Sequence, residues 1–375
     1  MGRDAQAGGL GVSLRPTHLL ALALMFAGLL APVGSEGWTA NPAALAGAVA
    51  ALAGAALLLQ HWSSELEHGL SLLALVLGAF APLILLQGPG PFGLEARGLW
   101  LFLGGWTLLL WLRLEALSRL PGRGMATLVA PALFGVAVLY LWQVLVVGFA
   151  VPQVLLPSPA QVGHVLATRM DILWPDFRQT FLKAVVAGFA LGSALGFAVA
   201  VLADRIPFLK RGLLPLCNLL SAMPIVGIAP IMVMWFGFDW QSKAAVIVVV
   251  TFFPMLVNTL AGLASVDAMQ RDLMHSFAAG YGQTLAKLRL PSALPFIFNA
   301  LKINSTLALI SAIVAEFFGS PILGLGFRIS TEVAKLNVDV VWAVIAIAAL
   351  AGSMFYGLIA VVERACTFWH PSYRR

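Results

Sequence analysis

Charge is what this sequence has least of: Asp, Glu, Lys and Arg together make up 10% of its 375 residues. A water-soluble chain carries about a quarter, so a soluble globular protein is excluded. Cysteine is nearly absent as well. Cys217 and Cys366 lie far apart, which excludes a disulfide framework and offers no metal-ligand spacing. Both read as small apolar side chains. No Gly-Lys pair occurs anywhere. That rules out the Gly-x-x-x-x-Gly-Lys-Ser/Thr loop, whose backbone N–H groups and single Lys cradle phosphates. Residues 324–329, GLGFRI, are not Gly-x-Gly-x-x-Gly either, because Ile329 takes the last place. There is no His-Glu-x-x-His and no Gly-x-Ser-x-Gly. The six histidines are scattered, and His18, His61 and His68 lie at the ends of apolar runs, where polar residues sit at a membrane interface. The expectation is a chain with no catalytic residues, no metal ligands and no cofactor of its own, and thus not an enzyme.

What fills the sequence is apolar: 61% of it is hydrophobic. Crossing a bilayer takes about 20 residues at about 1.5 Å rise each. Charge-free windows suited to this are 17–33, 43–60, 69–87, 99–112, 125–150, 184–203, 222–238, 244–266, 296–315 and 340–362. The fold class is therefore an all-α polytopic membrane protein of about ten transmembrane helices. The N-terminus, with Arg3 and Arg15 ahead of an apolar run at 19–30, resembles a signal peptide. Further spans follow at once, so an uncleaved first span is expected. With the N-terminus cytoplasmic, loops on that side hold 14 Lys or Arg and the opposite loops 6. This excess favours cytoplasmic termini and accounts for the net charge of +6 without nucleic acid as a partner.

Residues 1–122 are rich in Ala, Leu and Gly and have few polar groups inside spans. Residues 123–375 carry most of the prolines near spans, the long loops and the intramembrane polar groups. The basic stretch 113–124 marks the boundary. No internal repeat is visible.

Between the eighth and ninth windows lies a polar interruption, 267–295. Met269, Leu273, Phe277, Tyr281, Leu285 and Leu288 recur at spacings of four and three, an apolar stripe on a helix. Gly280 and Gly282 each weaken a helix by about 1 kcal/mol, which predicts two short helices with a bend between them. Pro291 and Pro295 remove backbone donors and are expected to stop the second helix, with Pro295 in the first turn of the next span. The result is an amphipathic ledge on the membrane surface. It can rest in lipid headgroups or dock a partner.

This stretch resembles the EAA loop of permease subunits of ATP-binding-cassette (ABC) importers, which runs Glu-Ala-Ala, three residues, Gly, then about a dozen residues to Leu-Pro. Aligned without gaps from Leu290-Pro291, Asp272-Leu273-Met274 fall on Glu-Ala-Ala and Ala278 falls on the glycine. LLPSPAQV (155–162), PIVGIAPIMVMWFGF (224–238), TFFPMLVNTLAGLASVD (251–267), LRLPSALPFIFNALKI (288–303), AIVAEFFG (312–319) and GLGF (324–327) are similar to the nitrate, sulfonate and taurine branch of that family, in order, across 125–375. The resemblance implies a type I (MetI-like) permease domain at 123–375. An N-terminal extension of about four helices at 1–122 lies outside the usual pattern.

The resemblance also implies partners: cytoplasmic ABC ATPase subunits that use ATP, a second permease subunit in a homodimer, and a periplasmic or lipid-anchored substrate-binding protein. The surrounding lipid belongs to a bacterial inner membrane. Asp272, Phe277, Ala278, Gly280, Tyr281, Gly282, Leu290 and Pro291 become the ATPase-coupling loop, with Phe277 and Tyr281 as anchors. Arg271, Lys287 and Arg289 either pair with acidic groups on the ATPase rim or are ordinary loop charges. Ala278 adopts a positive φ only at a cost, so Gly280 or Gly282 is expected to supply the turn. The substrate implied is a small organic or inorganic anion or a small heterocycle, and 316–339 is a landing surface for the binding protein or a plain connection.

A pathway needs polar or irregular groups inside spans. Asn258, Asn299, Asn304, Ser305, Thr306, Ser311 and Glu316 are candidates, as are Met223, Pro224 and Trp235 around a span broken by Pro224, Gly227 and Pro230. Interhelical hydrogen bonding or plain packing would explain the same residues. The rival reading is a secondary transporter or channel that works without an ATPase. It calls for paired repeats and a midplane ionisable pair.

Overall fold

The computed structural model describes residues 16–31, 33, 38, 41–57, 64–87, 95–118, 126–221, 223–319 and 322–369. Arg3, Arg15, His61, Pro321, much of the basic stretch 113–124 and the side chains of His68 and Cys217 lie outside the described residues. The described chain is helical: α1 (Pro16–Leu30), α2 (Pro42–Leu57), α3 (Ser64–Leu85), α4 (Arg97–Ser118), α5 (Ala126–Gly148), α6 (Pro159–Thr168), α7 (Met170–Phe177), α8 (Val186–Arg205), α9 (Pro207–Ser221), α10 (Ile225–Phe236), α11 (Trp240–Ala264), α12 (Ala268–Ser276), α13 (Tyr281–Thr284), α14 (Leu290–Glu316), α15 (Leu325–Ala334) and α16 (Val338–Cys366). Among the described residues, five helical stretches are long and apolar enough to cross a bilayer, and five shorter apolar helices accompany them. Together they overlie the ten windows read from the sequence.

The chain packs as two compact units, Met1–Gln161 and Val162–Arg375. In the first, α1 and α4 touch backbone to backbone. A Cβ on Gly28 would sit 2.4 Å from Phe102 N, and one on Gly105 would sit 2.5 Å from Ala21 O. Such small residues let membrane helices approach closely where no hydrophobic effect drives them together. Met25, Leu99, Phe102, Trp106 and Val144 fill the core between α1, α4 and α5. The Trp106 indole N–H donates to the Leu75 carbonyl on α3 at 2.9 Å.

The second unit is built on α8, α11 and α14. Gly188, Gly192 and Gly196, four residues apart, form a flat ridge on α8 against α11. A Cβ on Gly192 would lie 2.0 Å from Thr251 Oγ1, and one on Gly196 would lie 2.5 Å from Phe252 O. Beside it, α16 packs on α14 through Ala308, Leu309 and Ala312 against Val340 and Val344.

Two helices run further than expected. A π-helical turn, Arg178–Val185, joins α7 to α8. A second, Leu285–Arg289, joins α13 to α14, giving one helical stretch from Tyr281 to Glu316. Pro291 and Pro295 therefore do not end the ledge helix. The wider turn, in which Leu290 N–H reaches the Leu285 carbonyl, re-registers the hydrogen bonds just before Pro291, where an α-helix would have lost a donor. Pro295 lies within α14.

Candidate functional site

The ledge begins with α12. Asp267 caps it, its carboxylate accepting from Met269 N–H at 3.4 Å. The helix buries nothing: Met269 is 78% exposed, Phe277 is 77% exposed, and Leu273 lies exposed between them on the same face. Asp272 is exposed too. The apolar stripe thus divides, since Leu285, Leu288 and Leu290 are half-buried. Leu285 and Leu290 pack beside Met255, Leu263 and Ala293.

The turn after α12 corrects the expectation that a glycine supplies it. Ala278 takes φ +51°, while Gly280 is extended at φ −71°, ψ 169°. Ala278 N–H donates to the His275 carbonyl at 2.9 Å, and Ala279 N–H donates to the Met274 carbonyl at 3.0 Å. These two bonds form a Schellman ending with alanine in the position that usually holds glycine. They satisfy two carbonyls at the helix end and outweigh a left-handed strain of about 1–2 kcal/mol. Open space surrounds the Cα atoms of Gly280 and Gly282.

Arg289 departs from the simple reading of a loop charge. Its Nη1 and Nη2 donate to Asp204 Oδ2 and Oδ1 at 2.7 and 2.8 Å, and its Nε and Nη2 donate to the Leu263 carbonyl at 3.0 and 2.9 Å. Tyr281 Oη donates to Asp204 Oδ2 at 3.1 Å, and the Arg205 guanidinium lies 5.7 Å from the Tyr281 ring centre. Tyr281 is therefore engaged within the chain. Arg271 and Lys287 are exposed.

At the far end of α14, Glu316 is buried. Thr180 Oγ1 donates to its Oε1 at 2.7 Å, and Gly326 N–H donates to its Oε2 at 2.6 Å. Leu325 N–H donates to Thr180 Oγ1 at 2.8 Å. Asp176 accepts from Gly324 N–H at 2.9 Å and from Arg328 Nε at 2.7 Å. Glu316 and Asp176 together hold the first turn of α15, whose free N–H groups suit carboxylates.

Other named polar groups divide by exposure. Asn304 is fully buried and donates to Ser193 Oγ at 3.0 Å and to the Thr251 carbonyl at 2.8 Å, tying α14 to α8 and α11. Ser305 and Ser311 are buried and donate to carbonyls of their own helix. By contrast, Asn299, Ile303, Thr306 and Ile310 form an exposed stripe on α14. Asn299 Nδ2 donates to Asn258 Oδ1 on α11 at 3.3 Å. Met223, Pro224 and Trp235 are also exposed. Reading the sequence missed Asp176, Thr180, Asp204 and Arg328, and it left Lys302 without a partner. Lys302 pairs with Glu363 on α16 at 2.8 Å. A cation inside an apolar span was the available signal for that pair; nothing in the sequence points from Arg289 to Asp204.

A bundle of apolar helices with an amphipathic ledge, braced to its neighbours and exposing an apolar ridge, defines a polytopic helical membrane protein. Residues 188–367 match the family described as the binding-protein-dependent transport system inner membrane component. The chain is 32% identical over 220 residues to a probable ABC transporter permease of Haemophilus influenzae, covering 59% of this chain and 89% of the relative. It is 32% identical over 243 residues to a formylaminopyrimidine transport permease of Halalkalibacterium halodurans (64% and 95%). To an aliphatic sulfonates transport permease of Bacillus subtilis it is 29% identical over 262 residues (69% and 94%). The chain belongs to this family of ABC transporter permeases, in the branch that the sequence resembles.

Proposed function

We propose that this chain is the permease subunit of an ABC importer in a bacterial inner membrane, with both termini cytoplasmic. Two copies form the translocation pathway. Two cytoplasmic ATPase subunits, not this chain, bind and hydrolyse ATP, and an extracytoplasmic binding protein delivers substrate. The observation that carries the reading is the ledge: three large apolar side chains, Met269, Leu273 and Phe277, stand uncovered on a helix whose continuation is bonded to two other helices. Large apolar groups exposed together mark a protein or membrane contact, and aromatic residues such as Phe277 concentrate the energy of protein contacts. Asp272 and the unobstructed Gly280 and Gly282 border the ridge, and the half-buried Leu290 and Pro291 join the ledge to α14.

Substrate passes along the exposed face of α14, with Asn299 and Thr306 as polar groups and Asn258 bonded to Asn299, and the exposed Met223, Pro224 and Trp235 contribute further groups to the pathway. Asn304, Ser311 and Glu316 hold the wall from behind. The substrate class is a small anion or small heterocycle, a range supported by relatives named for sulfonates and for a formylaminopyrimidine. Nucleotide binding draws the ledges together and tilts the spans, and hydrolysis resets them. Residues 1–122 form an extension to the permease domain, 123–375.

Coexpression with an ABC ATPase subunit from the same genome tests this reading. The unaltered chain retains the ATPase through purification in detergent, and Leu273→Asp with Phe277→Asp loses it. Unchanged retention by the double variant overturns the assignment of the ledge. Uphill uptake by this chain with no ATPase present establishes the rival, a secondary transporter.

A further inference from the structure

The helix from Tyr281 to Glu316 has a built-in weak point. Its π turn, Leu285–Arg289, lies just before Pro291, so the hydrogen-bond register shifts and a donor is missing within a few residues, where a helix bends most readily. A push on the ledge would be absorbed there. One carboxylate bridges the gap. Asp204 accepts from Tyr281 Oη ahead of the π turn and from both terminal nitrogens of Arg289 at its end.

Asp204 is an odd residue for its place. It lies in the last turn of α8, where the helix dipole disfavours an anion, and its side chain is 3% exposed. A buried carboxylate there requires a cation. Arg289, 15% exposed, supplies it and also donates to the carbonyl of Leu263, one of the unpaired carbonyls that close α11. Only a guanidinium has the fixed fork to serve a carboxylate and a carbonyl at once, since a lysine ammonium is a single point charge.

We propose that Arg289 is a positioning residue for coupling. It clamps the ledge across its π turn to the ends of α8 and α11, so that displacement of the ledge moves three membrane helices as one body. The inference rests on the ledge being the ATPase contact.

The test is a distance measured between spin labels at His275→Cys on α12 and Leu202→Cys on α8, both exposed, with Cys217 and Cys366 replaced by serine. The full chain is used in detergent with its ATPase, without nucleotide and with ATP-Mg on a hydrolysis-deficient ATPase. With Arg289 intact, one narrow distance persists in both states. Arg289→Ala loses that narrow distance and acquires a nucleotide-dependent shift. Arg289→Lys and Asp204→Asn, which keep charge or shape and carry the test if the alanine variant does not fold, broaden it too. A distance that shifts with nucleotide in the intact protein overturns the clamp, as does an Arg289→Ala or Arg289→Lys distribution as narrow as the original. Failure of the parent reading looks different: the intact chain retains no ATPase, and the comparison without nucleotide still reports on the clamp.

Discussion

Asp176 and Arg328, 152 residues apart in sequence, meet as an ion pair of 2.7 Å between α7 and α15. The carboxylate is fully buried and the guanidinium nearly so. Its other oxygen takes the Gly324 N–H at 2.9 Å. One side chain thus fixes both the backbone entering α15 and the first cation on it.

Removing that carboxylate leaves the Arg328 guanidinium only its longer 3.7 Å contact with Glu332 and takes the partner from a buried N–H group. Breaking one side of such a pair costs about 3–5 kcal/mol. Asp176→Ala is expected to lower the thermal midpoint in detergent and to open residues 322–337 to protease, whereas Arg328→Lys, which keeps a charge, does so less. Limited proteolysis of the two variants is the check.

Acid should loosen the same segment. Burial raises the Glu332 carboxyl, but Asn337, Lys335 and Arg328 outweigh it, and the group titrates below the usual carboxylate range. Its folded pKa lies under the unfolded value, so its contribution is complete above the unfolded pKa, about 4.3, and is lost as pH falls through the lower folded one. Hydrogen exchange of the α15 amides, corrected for intrinsic rates, should stay slow down to that range and quicken below it. Glu332→Gln should flatten the dependence.

Ala278 is strained where glycine would not be. Ala278→Gly relieves a left-handed alanine worth about 1–2 kcal/mol and gives back part of that through the added freedom of the unfolded chain. A net gain of about 0.5–1 kcal/mol is expected, read as slower exchange of the α12 amides. Faster exchange would show that the ending is held by something other than its two backbone bonds.

The spans were legible because burial in lipid demands continuous apolar runs, and the charge-free windows found them. Their true starts were not. Asp176 and Lys183 lie inside helical turns ahead of a predicted boundary, and a window that stops at charge cannot see that a distant partner makes the charge tolerable. The ledge was legible as a stripe, yet periodicity could not tell Phe277, left exposed, from Tyr281, turned onto Asp204. The turn was misplaced for a similar reason. Glycine is the cheapest left-handed residue, but two backbone hydrogen bonds settle the matter at Ala278. Glu316 stood out as an intramembrane acid, and its partners, Thr180 and Gly326, come from segments that no spacing rule connects to it.

The unbroken run of 36 residues from Tyr281 to Glu316 is about 54 Å long at helical rise, nearly twice the hydrocarbon thickness of about 30 Å. Near one end Arg289 bonds to Asp204 and at the other Glu316 takes the Thr180 hydroxyl, and both partners lie on a single helical stretch, Met170–Arg205. Two long rods tied together at both ends can neither slide past nor swing against each other without breaking a tie, so a displacement of one is carried by the pair.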